Sequence, residues 1–205
     1  MTGLGHALGY GKEKGWPSLV RAGLKKLRRF IYTREVFILN YIRLDSIPEV
    51  KPGTKVVVRD ATWDDIPKMK NIRYSMGKFE DWLKRGCIFT IALKDDKVVS
   101  YLCMHTEPLP PFENVVNLKP DEIWGHYAYT VPEYRGNGIY PYIAYLAAKR
   151  LMKQGYKREY GIVRADNRTS IKVHDKMGKR DLQHVIHLKV FGIERCWNKP
   201  EKVAK

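Results

Sequence analysis

Apolar and polar residues along the chain recur with two different periods, and the period changes from segment to segment. Segments rich in β-branched and aromatic residues that alternate in polarity predict strands, whereas apolar residues three and four positions apart predict helices. The predicted strands are residues 35–44, 55–60, 87–93, 98–105, 122–131 and 159–164, with one or two more within residues 184–196. The predicted helices are residues 17–30, 63–72, 75–85, 139–152 and 168–177. This order of elements predicts an α/β (α+β) fold with a central mixed sheet.

The first quarter of the chain differs in pattern from the rest. Residues 17–30 predict an amphipathic helix with five Lys or Arg residues and no acidic residue. Residues 35–44 predict either an extra strand or an edge that pairs with a partner. Two prolines and a glycine within residues 48–53 predict a linker. We therefore expect a basic N-terminal arm, residues 1–54, followed by a single domain, residues 55–205.

Charge is distributed unevenly along the 205 residues, whose formal net charge is +16. Residues 1–54 carry ten Lys or Arg against four Asp or Glu, and residues 55–138 carry twelve of each. Residues 139–205 carry sixteen against six. Such local surpluses favour an acidic partner, which could be a phosphate-bearing cofactor, an acidic carrier protein, an anionic lipid surface or nucleic acid.

Several classes of protein are disfavoured by the sequence. No apolar stretch reaches the roughly 20 residues of a membrane-spanning helix, and the first fifteen residues lack the pattern of a secretory signal. The three cysteines, Cys87, Cys103 and Cys196, are far apart and are expected to be reduced thiols. We expect a cytoplasmic protein that at most contacts the inner membrane surface. His184 and His187 would face opposite sides of a strand, so no metal site is predicted.

The segment between Val131 and Tyr140 is the strongest candidate for a binding site. A predicted strand ends there, Gly136 and Gly138 turn the chain, and a predicted helix begins at once. Such a junction collects main-chain N–H groups at the positive end of a helix dipole, which suits a pyrophosphate. The guanidinium of Arg135 adds a charge-assisted donor.

This segment resembles the pyrophosphate loop of the GNAT superfamily of acyl-CoA-dependent N-acyltransferases, through Val131, Pro132, Tyr134, Arg135 and Gly138. Tyr140 stands where the family has a small residue. A second block, residues 167–178, resembles the family's helix that follows the next strand, and Lys179 stands where the family usually has an aromatic residue. The resemblance implies acetyl-CoA as cofactor and a sheet whose central parallel strands splay apart. The cofactor-binding residues that it implies are Val131, Arg135, Gly136, Asn137, Gly138, Ile139, Tyr140, Asn167 and Ser170.

The resemblance also implies where the chemistry takes place. The pantetheine arm would lie between the strands at 122–131 and 159–164, and the N–H of Val131 would polarise the thioester carbonyl. Many relatives have a tyrosine acid at the position of His174, so we rank His174 first as general acid, with a pKa near 6.5. Ser170 also suits the start of the helix.

Two residues on the central strand compete as general base. Glu122 stands where some relatives carry a catalytic glutamate, and His126 lies on the same face of the strand. They are about 13 Å apart, so they cannot form one hydrogen-bonded pair. A bulge in this strand, common among relatives, would change the faces of the residues that follow it and could bring in Tyr127 or Tyr129.

We expect an N-acetyltransferase that moves an acetyl group by direct attack to a primary amine of a small molecule, such as an amino acid or amino sugar. Glu107 and Glu113 flank a proline-rich loop and could hold a cationic amine. One alternative is transfer of a longer chain from an acyl carrier protein. Another is a catalytically weak relative whose basic arm binds an anionic membrane or nucleic acid, the latter being the least expected partner. The sequence leaves a homodimer open.

Overall fold

The computed structural model describes residues 24, 31–72 and 76–199 of the 205-residue chain. Apart from Leu24, the basic helix predicted at residues 17–30 lies outside these described residues. Among the described residues, no helix is long and apolar enough to cross a membrane.

Eight strands of the described part of the chain form one sheet in the order β2-β3-β4-β5-β6-β1-β7-β8. They are β1 Tyr32–Arg43, β2 Val57–Asp60, β3 Ile88–Lys94, β4 Lys97–His105, β5 Glu122–Thr130, β6 Arg158–Arg164, β7 Arg180–Val190 and β8 Ile193–Asn198. Neighbouring strands are antiparallel except β5 and β6, which are parallel. The mixed, mostly antiparallel sheet predicted from the sequence is therefore confirmed.

Within residues 76–199, three α-helices pack on this sheet: α1 Met76–Lys84, α2 Ile139–Lys153 and α3 Arg168–Met177. The predicted helix at residues 63–72 is wrong in type, because the chain forms two short 3-10 turns, Trp63–Asp65 and Pro67–Asn71. The first begins with a capping box between Thr62 and Asp65. Pro67 then opens the second turn, since proline has no N–H to continue an α-helical ladder.

Strand β1 is an interior strand of the sheet, although it belongs to the predicted N-terminal arm. It pairs with β6 on one side and with β7 on the other. The domain boundary predicted after residue 54 therefore does not fit Tyr32–Arg43, because this strand joins β6 to β7 within the sheet. The linker predicted at residues 48–53 connects β1 to β2 within one domain.

The two faces of the sheet are covered by different elements. On one, which we call the helix face, α2 and α3 pack over a core that includes Ile42, Leu102 and Ile123. On the other, the loop face, α1 packs over β3 and β4, and the proline-rich loop at residues 106–121 covers Trp124. Because side chains alternate along a strand, neighbouring residues of β5 and β6 reach different faces.

Candidate active site

The parallel strands β5 and β6 separate halfway along their length. Their pairing runs from Glu122 and Arg158 to Gly125 and Gly161 and stops there. Both strands continue, β5 to Thr130 and β6 to Arg164. We call the Gly125–Gly161 pair the splay point. On its carboxyl side a gap opens between the main chains of the two strands. The splayed parallel strands implied by the resemblance are confirmed.

A β-bulge marks the start of the separation. Cys103 of β4 pairs with Tyr127, whereas the next residue, Met104, pairs with Gly125. His126 is the extra residue between them, and a bulge of this kind bends its strand. Here the bend accompanies the divergence of β5 from β6. The bulge foreseen in this strand is present, and it places Tyr127 and Tyr129 with the core of the loop face.

The segment after β5 forms the strand-to-helix junction that the sequence predicts. Pro132–Tyr134 makes a 3-10 turn, Gly136 and Gly138 have positive φ angles of 80° and 67°, and α2 begins at Ile139. Among the described residues, the N–H groups from Gly136 to Tyr140 have no hydrogen-bond acceptor, and Gly138 has no side-chain cap. A helix start with free N–H donors fits a diphosphate.

Hydrogen bonds fix the shape of this junction, residues 131–140, which we call the diphosphate loop. The Asn137 Nδ2 donates to the carbonyls of Tyr134 and Arg135, at 3.2 and 3.3 Å. The N–H of Gly53 donates to the carbonyl of Asn137 at 2.8 Å, so the linker packs against the loop. The Arg135 Nε donates to the carbonyl of Thr130 at 3.0 Å. Its two remaining guanidinium nitrogens are available to an anion.

The predicted role of the Val131 N–H does not fit the structure. This N–H donates to the carbonyl of Val99 on β4, at 2.9 Å, because the β4–β5 ladder continues through Val131. Main-chain N–H groups alternate between the two sides of a strand, so those of Ala128 and Thr130 face the gap instead. These two are the main-chain donors that can reach a carbonyl placed between the strands.

Three further cofactor candidates have structural roles in the fold. Asn167 caps α3, and its side chain accepts the Ser170 N–H at 3.2 Å. The contact is the helix-start arrangement expected for Ser170, and cofactor binding by this pair stays a prediction. The Tyr140 side chain packs against the core of the helix face, and burial raises the pKa of its hydroxyl. Only the main chain of Tyr140 is directed at the loop.

His174 points inward from α3 and meets β1. The Nδ1 of its ring accepts from the Asn40 Nδ2 at 3.2 Å, and Asn40 is fully buried. Burial, with a smaller effect of Lys179, lowers the pKa of His174 to about 3. The ring is thus neutral at neutral pH, in contrast to the value near 6.5 expected from the sequence. A neutral imidazole can donate a hydrogen bond from Nε2 but holds no extra proton.

A buried ion pair lies beside His174 at the splay point. The Lys179 Nζ donates to the Glu159 Oε1 at 2.7 Å, with only 3% and 4% of the two side chains exposed. Burial would lower the pKa of Lys179, but the attraction of Glu159 and Tyr140 outweighs it and raises the pKa. Sequence reasoning did not select Asn40, Glu159 or Lys179. The only signal was that Lys179 and Tyr140 both depart from the family pattern, and the two residues lie together here.

The two glycines of the splay point make room for this cluster. A methyl group on Gly125 would lie 2.5 Å from the Glu159 Oε1. One on Gly161 would lie 3.4 Å from the Asn40 Oδ1 and 3.5 Å from the Lys179 Nζ. Polar side-chain atoms of Asn40, Glu159 and Lys179 therefore converge on the splay point.

The two candidates for general base lie on the loop face, opposite His174. Glu122 is 4% exposed and accepts from the N–H of Lys119 and from the side chains of Arg158 and Tyr160. His126 packs against the rings of Trp82 and Tyr127. Burial, with a smaller effect of His105, lowers the pKa of His126 to about 3. The geometry favours neither as a base, since Glu122 is held by three donors and His126 is weakly basic.

A pocket of about 430 Å³ opens beside the start of β5. Its lining includes Glu122 together with Glu107 and Glu113, and Lys119 is its one basic residue. Glu107 and Glu113 are exposed. The proline-rich loop thus brings the two glutamates singled out from the sequence into one acidic pocket with the base candidate Glu122.

Comparison with known proteins places this arrangement in a family. The sequence model of the acetyltransferase (GNAT) family matches residues 57–179, which is more than half of the chain and contains the loop, the splay point and α3. Among curated protein sequences, none matches the chain.

Solved structures with a similar fold share little sequence. A functionally unknown conserved protein from Staphylococcus epidermidis has a TM-score of 0.55 at 12% identity, over 81% of this chain and 66% of that protein. An acetyltransferase assigned to the GNAT family from Novosphingobium aromaticivorans has a TM-score of 0.50 at 17% identity, over 75% and 63%. A tandem GNAT protein from the clavulanic acid biosynthesis pathway has a TM-score of 0.54 at 13% identity, over 75% and 53%.

At these identities the similarity shows the fold alone, and the chain spans less than two thirds of the length of each of the three structures. The sequence match supplies the rest of the argument. The family predicted from the two motifs is confirmed: the chain belongs to the GNAT acetyltransferase family.

Proposed function

We propose that this protein transfers an acetyl group from acetyl-CoA to a primary amine of a small molecule that also carries a separate cationic group. Membership of the family gives the enzyme class, acetyltransferase, and coenzyme A as the cofactor. The nature of the amine is our inference. The observation that carries it is the layout of β5, which has the acidic pocket at its start, the splay point in its middle and the diphosphate loop at its end.

The described residues fit the donor. Free N–H groups between Gly136 and Tyr140, with the guanidinium of Arg135, suit its diphosphate. When bound, acetyl-CoA supplies the activated acetyl group as a thioester. The N–H groups of Ala128 and Thr130 face the gap and can donate to the carbonyl oxygen as negative charge develops on it.

The acidic pocket suits a cationic acceptor. Glu122 lies three residues before Gly125, so the pocket begins about 10 Å from the splay point along the strand. A diamine whose two nitrogens lie about 10 Å apart can place one ammonium group in the pocket while its other nitrogen reaches the splay point. That second nitrogen must be neutral to attack, and the low pKa of His126 makes this ring a weak base. We infer that the amine binds with its attacking nitrogen already deprotonated.

The test is thiol release from acetyl-CoA with pairs of amines of equal chain length, one a diamine and one a monoamine. We expect a higher kcat/KM for the diamine. Replacing both exposed glutamates, Glu107→Gln with Glu113→Gln, is expected to raise KM for the diamine about five-fold, since exposed ion pairs contribute about 0.2–1 kcal/mol each. KM for acetyl-CoA should not change.

Asp64→Asn, which removes an exposed carboxylate outside the pocket, is the matched control. It is expected to leave both KM values unchanged. Equal kcat/KM values for the diamine and the monoamine would contradict the charged acceptor, and an absence of thiol release with every amine would contradict the proposed function.

A further inference from the structure

The polar cluster on the helix face includes a residue from outside the stretch that the family model matches. Asn40 belongs to β1, which precedes residues 57–179 in the chain. It pairs across the sheet with Gly161, so its side chain lies over the splay point. Its Nδ2 donates to His174, whereas its Oδ1 is buried and accepts no hydrogen bond from the described residues.

The position of Lys179 favours this orientation of the amide. The Asn40 Oδ1 and the Lys179 Nζ both border the space beside Gly161, at 3.4 and 3.5 Å from a methyl group placed there. A carbonyl oxygen directed toward an ammonium is favourable, whereas an amide NH₂ in its place would be repelled. The NH₂ group is therefore directed at the neutral ring of His174.

The orientation of the amide decides which ring nitrogen carries the proton. A nitrogen that accepts a hydrogen bond has no proton of its own, so Nδ1 is bare and Nε2 is protonated. Nε2 has no hydrogen-bond partner in the described part of the chain. The ring thus presents one N–H donor, and its place on α3 corresponds to the acid position of the family.

We propose that Asn40, oriented by the Glu159–Lys179 pair, is a positioning residue that keeps the proton of His174 on Nε2, so that the ring donates a hydrogen bond to the departing sulfur. This inference rests on the proposed function. In the reaction the amine nitrogen forms a bond to the carbonyl carbon and the carbon–sulfur bond breaks. The nitrogen loses one proton and the sulfur gains one. His174 keeps its own proton and stabilises the thiolate until that proton arrives.

The first test uses the unmodified protein and does not depend on activity. Nitrogen-15 NMR distinguishes the two neutral imidazole forms, and His174→Gln identifies the signals of His174 among those of the six histidines. We expect a neutral ring protonated at Nε2 at pH 7. A ring protonated at Nδ1, or a charged ring, would overturn the proposal.

The second test changes the positioning residue. Asn40→Asp offers only acceptor oxygens, so it is expected to draw the ring proton to Nδ1 and to leave Nε2 bare. It should lower kcat at least ten-fold while KM for acetyl-CoA changes less than two-fold. A changed proton position with an unchanged kcat would overturn the proposal.

The third test removes the orienting charge without leaving a buried charge unpaired. The double variant Lys179→Met with Glu159→Met is expected to give a mixture of the two ring forms and a lower kcat. A single Nε2-protonated form in this variant would show that the ion pair does not orient Asn40, and would overturn that part of the proposal.

The outcomes also separate this inference from the proposed function. The wrong ring form in an enzyme that releases thiol would exclude the role of Asn40 alone. The expected ring form in a protein that releases no thiol with any amine would overturn the proposed function, and with it the role of His174 at the sulfur.

Discussion

Burial lowers the pKa of His126 and of His174, an effect that the sequence pattern around them does not reveal. They lie on opposite faces of the sheet, His126 between aromatic rings and His174 beside Asn40. Burial lowers the pKa of each to about 3, because a charged imidazole loses its hydration there. Both rings are neutral in the folded protein at pH values where unfolded histidine begins to take up a proton.

This difference predicts a dependence of stability on pH. The unfolded state binds protons to these histidines below about pH 6.5, whereas the folded state binds them only near pH 3. The free energy of unfolding should therefore fall as the pH is lowered between these values, by up to about 1.4 kcal/mol per pH unit for each histidine.

The His126→Gln variant, whose amide does not titrate, should have a flatter profile by one such contribution. Urea unfolding at pH 7, 6 and 5 measures the slope. Parallel profiles for the variant and the wild type would show that His126 is not buried as a neutral ring.

At the scale of elements, the junction between β5 and α2 depends on two glycines with different surroundings. Gly138 has a φ of 67°, and a methyl group there would lie 3.3 Å from the Val50 Cγ1. Gly136 has a φ of 80°, but nothing lies within 4 Å of the same position. The left-handed conformation costs an alanine about 1–2 kcal/mol at either site, and only Gly138→Ala also pushes on the linker.

These two variants form a matched pair for the diphosphate loop. Gly138→Ala is expected to weaken binding of coenzyme A more than Gly136→Ala, because it moves N–H donors that the linker holds in place. Isothermal titration with coenzyme A measures the two dissociation constants. Equal losses would indicate that backbone strain alone matters, and no loss in either would mean that the diphosphate does not bind at this loop.

At the scale of the whole molecule, part of the predicted N-terminal arm, β1, is built into the sheet. Removal of residues 1–54 removes β1, the strand between β6 and β7. This deletion also removes Leu39 and Ile42, which are 1% and 2% exposed in the core. A chain that begins at residue 31 retains all eight strands.

We therefore expect the chain without residues 1–54 to lose cooperative unfolding and the chain from residue 31 to retain it. Thermal unfolding followed by circular dichroism measures both. A cooperative transition at the same temperature in the shorter chain would contradict an integral role for β1. The chain from residue 31 lacks the basic segment, residues 17–30. Comparing it with the full chain therefore tests whether that segment binds lipid or nucleic acid.

Local patterns were enough to predict most elements of the fold. The helix at residues 168–177 has the predicted bounds, and β3 and β4 lie within one residue of the strands predicted at 87–93 and 98–105. The α-helix predicted at residues 63–72 was wrong in type, because Pro67 lacks the N–H that would continue the α-helical hydrogen bonds. The Val131 donor could not be corrected from sequence, since the direction of its N–H depends on where the β4–β5 ladder ends.

The sequence by itself determined the strand–glycine–helix junction, the second motif and hence the family, because periodicity and turn chemistry act over a few residues. Only the tertiary structure decided which side chains meet at the splay point. The strand order brings together Asn40 of β1, Glu159 of β6, His174 of α3 and Lys179, the residue before β7. Their charges and protons then depend on burial and on one another, which are properties of the packed sheet and not of any single segment.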